Sequence, residues 1–371
     1  MNTKSAYYYG GGTMNSITRK NKLVSEKGTF NTETNTIFFK KNVKLENESY
    51  TMTSDTLIFN TLSEITYFHG PTHIISDSNT IYCESGWYDT KTEKASFSKH
   101  ALVNYGEQTL TGDSIYYERN EGIGKAYRNI VLTDTSSKLI VKGGYGMFNE
   151  KTNYSIITKK PLLIQHEEKD TLYLTADTLE LFQDSIRTEY FAYRNVKFYK
   201  NDLQGSTDSL AYSEKDSLMT FFGNPVLWSG ENQLNSDSLK IKTFEGKVYN
   251  IFMKQNCFIV EQKDSLHFNQ IKGKEMTGYF DKNELKRLFV KGNGEALYFM
   301  EEDSTISAMN KIVCNNILIE VDSSELQNIT FYEQPTGSVT PIKDVKVEEI
   351  ILKDFKNYFA IRPKSSEDLM E

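Results

Sequence analysis

The stretch Leu110-Thr-Gly-Asp113-Ser-Ile-Tyr-Tyr117 decides the reading of this chain, because it recurs. The pattern runs apolar, any, small, Asp, Ser or Thr, Leu or Ile, any, then aromatic or apolar. Clear copies are Met52-Thr-Ser-Asp55-Thr-Leu57-Ile-Phe59, Leu174-Thr-Ala-Asp177-Thr-Leu179-Glu-Leu181 and Leu234-Asn-Ser-Asp237-Ser-Leu239-Lys-Ile241. A fifth, Thr207-Asp208-Ser-Leu210-Ala-Tyr212, has Gly205 where the leading apolar residue belongs. Successive Asp residues lie 58, 64, 31 and 29 positions apart. The two long intervals are double periods, filled by degenerate copies at Ser85-Gly86-Trp87-Tyr88 and Gly143-Gly144-Tyr145-Gly146. A period near 31 residues means one supersecondary unit stacked on itself.

A second landmark precedes the acid. Asn42-Val43, Asn195-Val196 and Asn224-Pro-Val226 each begin 13 residues before Asp55, Asp208 and Asp237. Polar turn signals such as Glu46-Asn-Glu, Asp77-Ser-Asn and Lys200-Asn-Asp separate the extended segments. No helical period is sustained before residue 340. Composition agrees with strands: aromatic residues make up 13% of the chain, and only six Pro are present in 371 residues.

Alternation within the phrase carries a geometric demand. Leu110 lies on the opposite face from Ile115 and Tyr117 if the strand is regular. All three share one interior only if the chain bulges at Gly112-Asp113, and the small residue before every Asp suits such a corner. Asp55, Asp113, Asp177, Asp208 and Asp237 are therefore read as structural corner residues, bonding backbone N–H groups freed there. The alternative, a cation ladder, is disfavoured because Gly86 and Gly144 interrupt the row. No metal and no cofactor is expected.

Other chemistry is sparse. Cys83, Cys257 and Cys314 are odd in number and fit no metal spacing; Cys83 is read at the leading apolar position of its repeat, as a small buried residue. His69 and His73 are separated by Gly70-Pro71, which forbids a helical metal pair. No nucleophile elbow, P-loop or dinucleotide fingerprint occurs, and no acid pair stands out beyond the corner row, so no catalytic residue is expected. The formal charge of -7 with intermixed signs argues against a nucleic-acid partner. No apolar run approaches the length of a membrane-spanning helix. The start, Met1-Asn-Thr-Lys-Ser-Ala, has no apolar signal region, so the chain reads as a mature or trimmed form whose localisation its N-terminus does not give.

The repeated phrase, with its Asn-Val companion, resembles the OstA-like/LptA family, which includes the N-terminal domain of LptD. The resemblance spans roughly residues 15–330, with Leu23-Val-Ser-Glu26 as an early copy and Ile271-Lys-Gly-Lys274 as a late one. Residues 8–89 look especially similar, through Tyr9-Gly-Gly-Gly12, Ser54-Asp-Thr-Leu57, Phe68-His-Gly-Pro71 and Ile81–Asp89. The resemblance implies an all-β, elongated antiparallel β-jellyroll (a β-taco) built from these repeats over residues 1–334. Residues 335–371 would form a charged tail or cap. It implies a periplasmic protein associated with the outer membrane. Such a protein binds lipopolysaccharide, passes lipid A acyl chains along an apolar groove and does no chemistry. Partners implied are lipopolysaccharide and other Lpt-type jellyrolls, or a second copy, joined end to end by strand-edge pairing. The chain is longer than the usual LptA bridge and carries no LptD-type barrel; a long periplasmic segment or a soluble fragment of a larger protein fits both.

On this reading the groove is lined by Met52, Leu57, Phe59, Leu110, Ile115, Tyr117, Leu174, Leu179, Leu181, Leu210, Tyr212, Leu234, Leu239 and Ile241. About eleven units at roughly 4.8 Å spacing give a groove of at least ~50 Å. The competing reading is a structural or adhesive β-solenoid whose interior residues only pack on one another; a polysaccharide-active enzyme is a third. Beyond Thr330 the pattern fades. Val347–Phe355 is either a short amphipathic helix covering the C-terminal edge or part of a disordered tail.

Overall fold

The computed structural model describes residues 4–16, 20–168, 170–281, 283–303, 305–322 and 325–370. They form two compact units, Met1–Glu168 and Lys169–Glu371. The strands pair antiparallel throughout the described registers, and the helical elements among the described residues are four single turns of 3-10 helix after Pro341. The expected all-β antiparallel β-jellyroll is what the chain forms.

In the first unit each strand up to Leu139–Asn149 pairs with its neighbours in sequence, and Leu139–Asn149 then pairs with both Tyr154–Thr158 and Leu162–His166. Thr36–Glu46, Tyr50–Asn60, Ile65–Ser76, Asn79–Asp89 and Lys94–Tyr105 are typical. The connections are set by side-chain amides and carboxylates. The Asn60 Oδ1 accepts the N–H groups of Leu62 and Ser63, and the Asp89 Oδ1 those of Lys91 and Thr92. Such local bonds close a turn without any helix. Successive turns are then tied to one another. Thr61 donates from N–H and Oγ1 to the Asn35 carbonyl, and Thr90 does the same to Glu64.

Every long strand kinks at mid-length. On alternate strands two successive residues adopt the left-handed conformation: Lys41 and Asn42, Lys99 and His100, Arg128 and Asn129, Arg194 and Asn195, Gln255 and Asn256. The facing strand supplies a single residue, so the register shifts there, for example between Thr111 and Ser114 around Asp113. Two residues opposite one is a β-bulge, and it bends both strands. Asparagine tolerates positive φ better than most residues, which explains the Asn of the Asn-Val landmark. Gly10 and Gly11 (φ 89° and 107°) form the same two-residue bulge opposite Glu26.

In the second unit several strands are interrupted at this corner. Thr171–Thr175 and Thr178–Gln183 flank Asp177; Leu218–Phe222 and Val226–Ser229 flank Gly223–Pro225; Asn232–Asn235 and Ser238–Phe244 flank Asp237. Pro225 has no N–H to give a ladder, which weakens pairing beside it, although Pro71 sits at the same corner within the unbroken strand Ile65–Ser76. Later strands are long, as in Glu284–Glu302 and Thr305–Asp322.

The C-terminal residues form neither the amphipathic helix over 347–355 nor a disordered tail. Val347–Glu349 is a lone 3-10 turn, and the residues after it lie against the second unit with Ile350, Leu352 and Leu369 buried. The physical reason is competition: backbone groups at 350, 352, 356 and 358 bond to glutamine side chains of the sheet, so they are not available for an i to i−4 ladder.

Candidate functional site: an apolar inner face

The corner is a repeated polar clasp. The Asp113 carboxylate accepts from the Asn129 Nδ2 at 3.0 Å and the Arg128 Nε at 3.2 Å. The Asp177 carboxylate accepts from the Asn195 amide at 3.2 Å, and that of Asp237 from the Asn256 amide at 3.1 and 3.0 Å. The partners of these carboxylates are thus side chains of the following left-handed pair rather than freed backbone N–H groups. At Asp55 and Asp208 a glycine replaces the first left-handed residue. A Cβ on Gly70 would stand 2.9 Å from the Asp55 Cβ, and one on Gly223 2.5 Å from the Asp208 Cβ.

One acid of the same row escaped the sequence reading, whereas Glu26 was already the acid of the early copy Leu23-Val-Ser-Glu26. Glu84, not Gly86, stands at the corner of its strand, since the register shifts between Tyr82 and Ser85 and the His100 Nδ1 lies 3.0 Å from the Glu84 Oε1. Cys83 therefore takes the small position rather than the leading apolar one, which belongs to Ile81. Glu26 likewise accepts from the Asn42 Nδ2 at 2.6 Å. Reading Glu-Ser as equivalent to Asp-Ser would have found Glu84. In the last repeats Lys274 and Asn315 occupy the acid position.

The small residue before the acid faces inward and is buried: Ser25, Ser54, Cys83, Ala176, Thr207 and Ser236. Where it carries a donor, it bonds the carbonyl two residues on, across the bulge. Ser54 Oγ reaches the Thr56 carbonyl at 3.2 Å, Ser236 Oγ that of Ser238 at 2.9 Å, and Cys314 Sγ that of Asn316 at 3.2 Å. These bonds tie the small residue to the strand on the far side of the bulge. Burial pushes the Cys83 thiol up to about 11 and the Cys257 thiol up to about 12.

From the corner outward, the inner face is apolar on every rung. In the first unit Met52, Leu57, Phe68, Phe97, Ile115 and Ile130 pack in one cluster and are buried. Farther from the corner, Phe59, Leu110, Ile74, Ile81 and Val103 pack against it but remain partly exposed. Tyr117 is also half-buried. The second unit repeats the gradient: Leu174, Leu179, Leu210 and Leu239 are buried, whereas Leu181, Tyr212 and Leu234 are half-buried; Ile241 is buried. The floor is therefore buried, and the wall keeps apolar atoms accessible at most rungs, with Met52, Leu174 and Ile241 buried as exceptions. The Gly205 exception has a packing cause. A Cβ there would stand 2.2 Å from the Phe198 ring, which already fills the missing leucine's space.

Among the described residues no group of three His, Cys, Asp or Glu is placed to hold a metal, and no helix is long and apolar enough to cross a membrane.

Residues 1–55 match the family model described as OstA-like protein. No curated protein matches the chain. Among solved structures the chain is similar to LptH of Pseudomonas aeruginosa, described as the LptA-homologous periplasmic component of the conserved lipopolysaccharide transport device. The identity is 13%, over 36% of this chain and 74% of that one, with a TM-score of 0.18.

Proposed function

We propose that this chain is a non-catalytic carrier of the lipopolysaccharide-transport type. Its inner face holds lipid A acyl chains, leaves the sugars in water and passes the lipid toward the outer membrane. The observation that carries the reading is the gradient on the inner face, buried at the corner and half-exposed apolar toward the rim. Accessible apolar walls favour alkyl chains by about 0.8 kcal/mol for each CH₂ removed from water. Rungs of the same residue types give no single site a large advantage, which suits movement along the row. The OstA-like match over residues 1–55 supports the same assignment, and with it a periplasmic location at the outer membrane.

The strand Ser5–Asn15 pairs with Lys22–Asn31 and carries Tyr7 and Tyr9 exposed at 60% and 74%. We assign this edge to strand pairing with another jellyroll or a second copy. The competing reading, a closed solenoid with a dry core, is favoured only where the interior is fully shut, as at Leu239 and Ile241.

Photo-crosslinking tests the proposal. A photoreactive residue at Leu110 or Tyr117 should label with lipopolysaccharide, and one at the turn residue Asn47 should not. Labelling at Asn47 alone, or at none of the three, would remove the carrier reading.

A further inference from the structure

On the second unit one row of residues runs straight across six strands. Gln204 pairs with Trp228, Trp228 with Gln233, Gln233 with Val260, Val260 with Gln270, and Gln270 with Leu297. All six are buried, at 3% exposure or less. Alternation puts this row on the face opposite Leu227, Leu234 and Ile271, and so on the outside of the apolar inner face.

What covers the row is the chain's own C-terminal segment, held largely through its backbone. Gln270 donates from Nε2 to the Ile350 carbonyl at 2.9 Å and accepts the Leu352 N–H at 2.8 Å. Gln233 repeats the arrangement six residues on, donating to the Lys356 carbonyl at 2.9 Å and accepting the Tyr358 N–H at 2.7 Å. Gln204 accepts the Arg362 Nε at 2.9 Å, and the same guanidinium bonds the Gly230 carbonyl at 2.8 Å. Ile350 and Leu352 fill a cluster with Phe258, Val260, Phe268 and Phe299, and the Phe355 ring packs on Phe268 at 5.4 Å. A glutamine that satisfies the carbonyl of one residue and the N–H of the second residue after it makes the bonds a neighbouring strand would make. Recognition of this kind reads a peptide, not a particular side-chain sequence.

A second observation concerns Trp228, midway between Gln204 and Gln233. It is fully buried, and its indole N–H has no acceptor among the described residues. A buried indole ordinarily finds one. The tail thus leaves one rung of the row unpaired, which is unlike a segment optimised as permanent core.

We propose that the Gln204–Trp228–Gln233–Val260–Gln270 row is a peptide-binding site whose resident ligand is the chain's own tail, bound reversibly. The threonine-rich equivalent in the first unit, with Thr51, Ile75 and Thr80 in register and Ile75 exposed, has no such cover among the described residues. The site is therefore particular to the second unit, and the inference does not depend on lipid binding.

The test uses the full chain with a specific protease site placed between Lys346 and the exposed Val347. After cleavage, the tail should co-elute with the body and be exchanged by excess labelled peptide of residues 347–371. Gln233→Ala and Gln270→Ala should each weaken retention by about tenfold, the effect of losing buried amide bonds. Trp228→Phe, which deletes the orphaned N–H and keeps an aromatic ring, should retain the tail at least as firmly. Collapse of the sheet signal on cleavage, a tail that never exchanges, or a released tail whose peptide does not rebind would each overturn the proposal.

Discussion

The Asn256 side-chain amide reaches back from its left-handed bulge to both oxygens of Asp237, at 3.1 and 3.0 Å, across a separation of 19 residues. The same clasp joins Asp177 to Asn195 and Asp113 to Asn129. It fastens the acid of one strand to the bulge of the next, so it holds the bend that gives each rung an inside. A double-mutant cycle of Asp237→Ala and Asn256→Ala should show a coupling of about 0.5–1 kcal/mol by denaturant unfolding, because the bond is charge-assisted but exposed. Strict additivity would mean that the bulge holds without the clasp.

Floor and wall residues should separate in their effects. Leu57 is 2% exposed, and Leu57→Ala should cost about 2–5 kcal/mol through the cavity it leaves. Phe59, two residues on, is only partly buried against the same cluster. Phe59→Ala should cost less stability than Leu57→Ala while reducing lipopolysaccharide crosslinking at Tyr117. Equal stability losses for the two variants would mean the wall is as closed as the floor.

Gly205 and Phe198 should behave as one packing unit. Gly205→Leu drives a side chain into the Phe198 ring and the Leu227 methyl groups, and overpacking of this kind costs about 1–3 kcal/mol. Adding Phe198→Ala vacates the space, so thermal unfolding of the double variant should recover part of that loss. No recovery would place the strain in the backbone instead.

The buried thiols set an alkaline limit on stability. Cys83 and Cys257 ionise near 9 when unfolded, whereas burial holds them protonated up to about 11 and about 12 in the fold. Their folded values are raised, so the associated stability is complete below pH 9 and is lost as pH rises toward 11 and 12. Unfolding midpoints should fall between pH 9 and 11, and Cys83→Ser with Cys257→Ser should flatten that fall. At pH 8 a thiol reagent should label the native chain far more slowly than the unfolded one.

The legible part of the sequence was whatever repeats locally. The phrase around Asp113 carries its own strand alternation and its own bend, because a small residue followed by an acid is a backbone requirement within a few residues. The Asn-Val landmark was visible for the same reason, but its partner was not. Asn195 was read with the acid that follows it, Asp208, whereas the fold pairs it with Asp177 behind it. Local sequence gives the positions of two polar groups; the direction of pairing depends on which strand lies alongside. Glu84 was missed because a template of aspartates hides an equivalent glutamate two residues from a glycine.

By itself the chain's order of residues determined an antiparallel β architecture with an apolar face on every rung, since strand periodicity and bulge chemistry act over a handful of neighbours. The three glutamines were also in plain view, each four residues before a corner position: Gln204, Gln233 and Gln270 precede Asp208, Asp237 and Lys274. Only the tertiary structure decided what they do. Their partners in the C-terminal segment lie 80 to 158 residues away along the chain. A segment with no period of its own takes its conformation from the face that receives it. That face exists only once strands far apart in sequence have come into register.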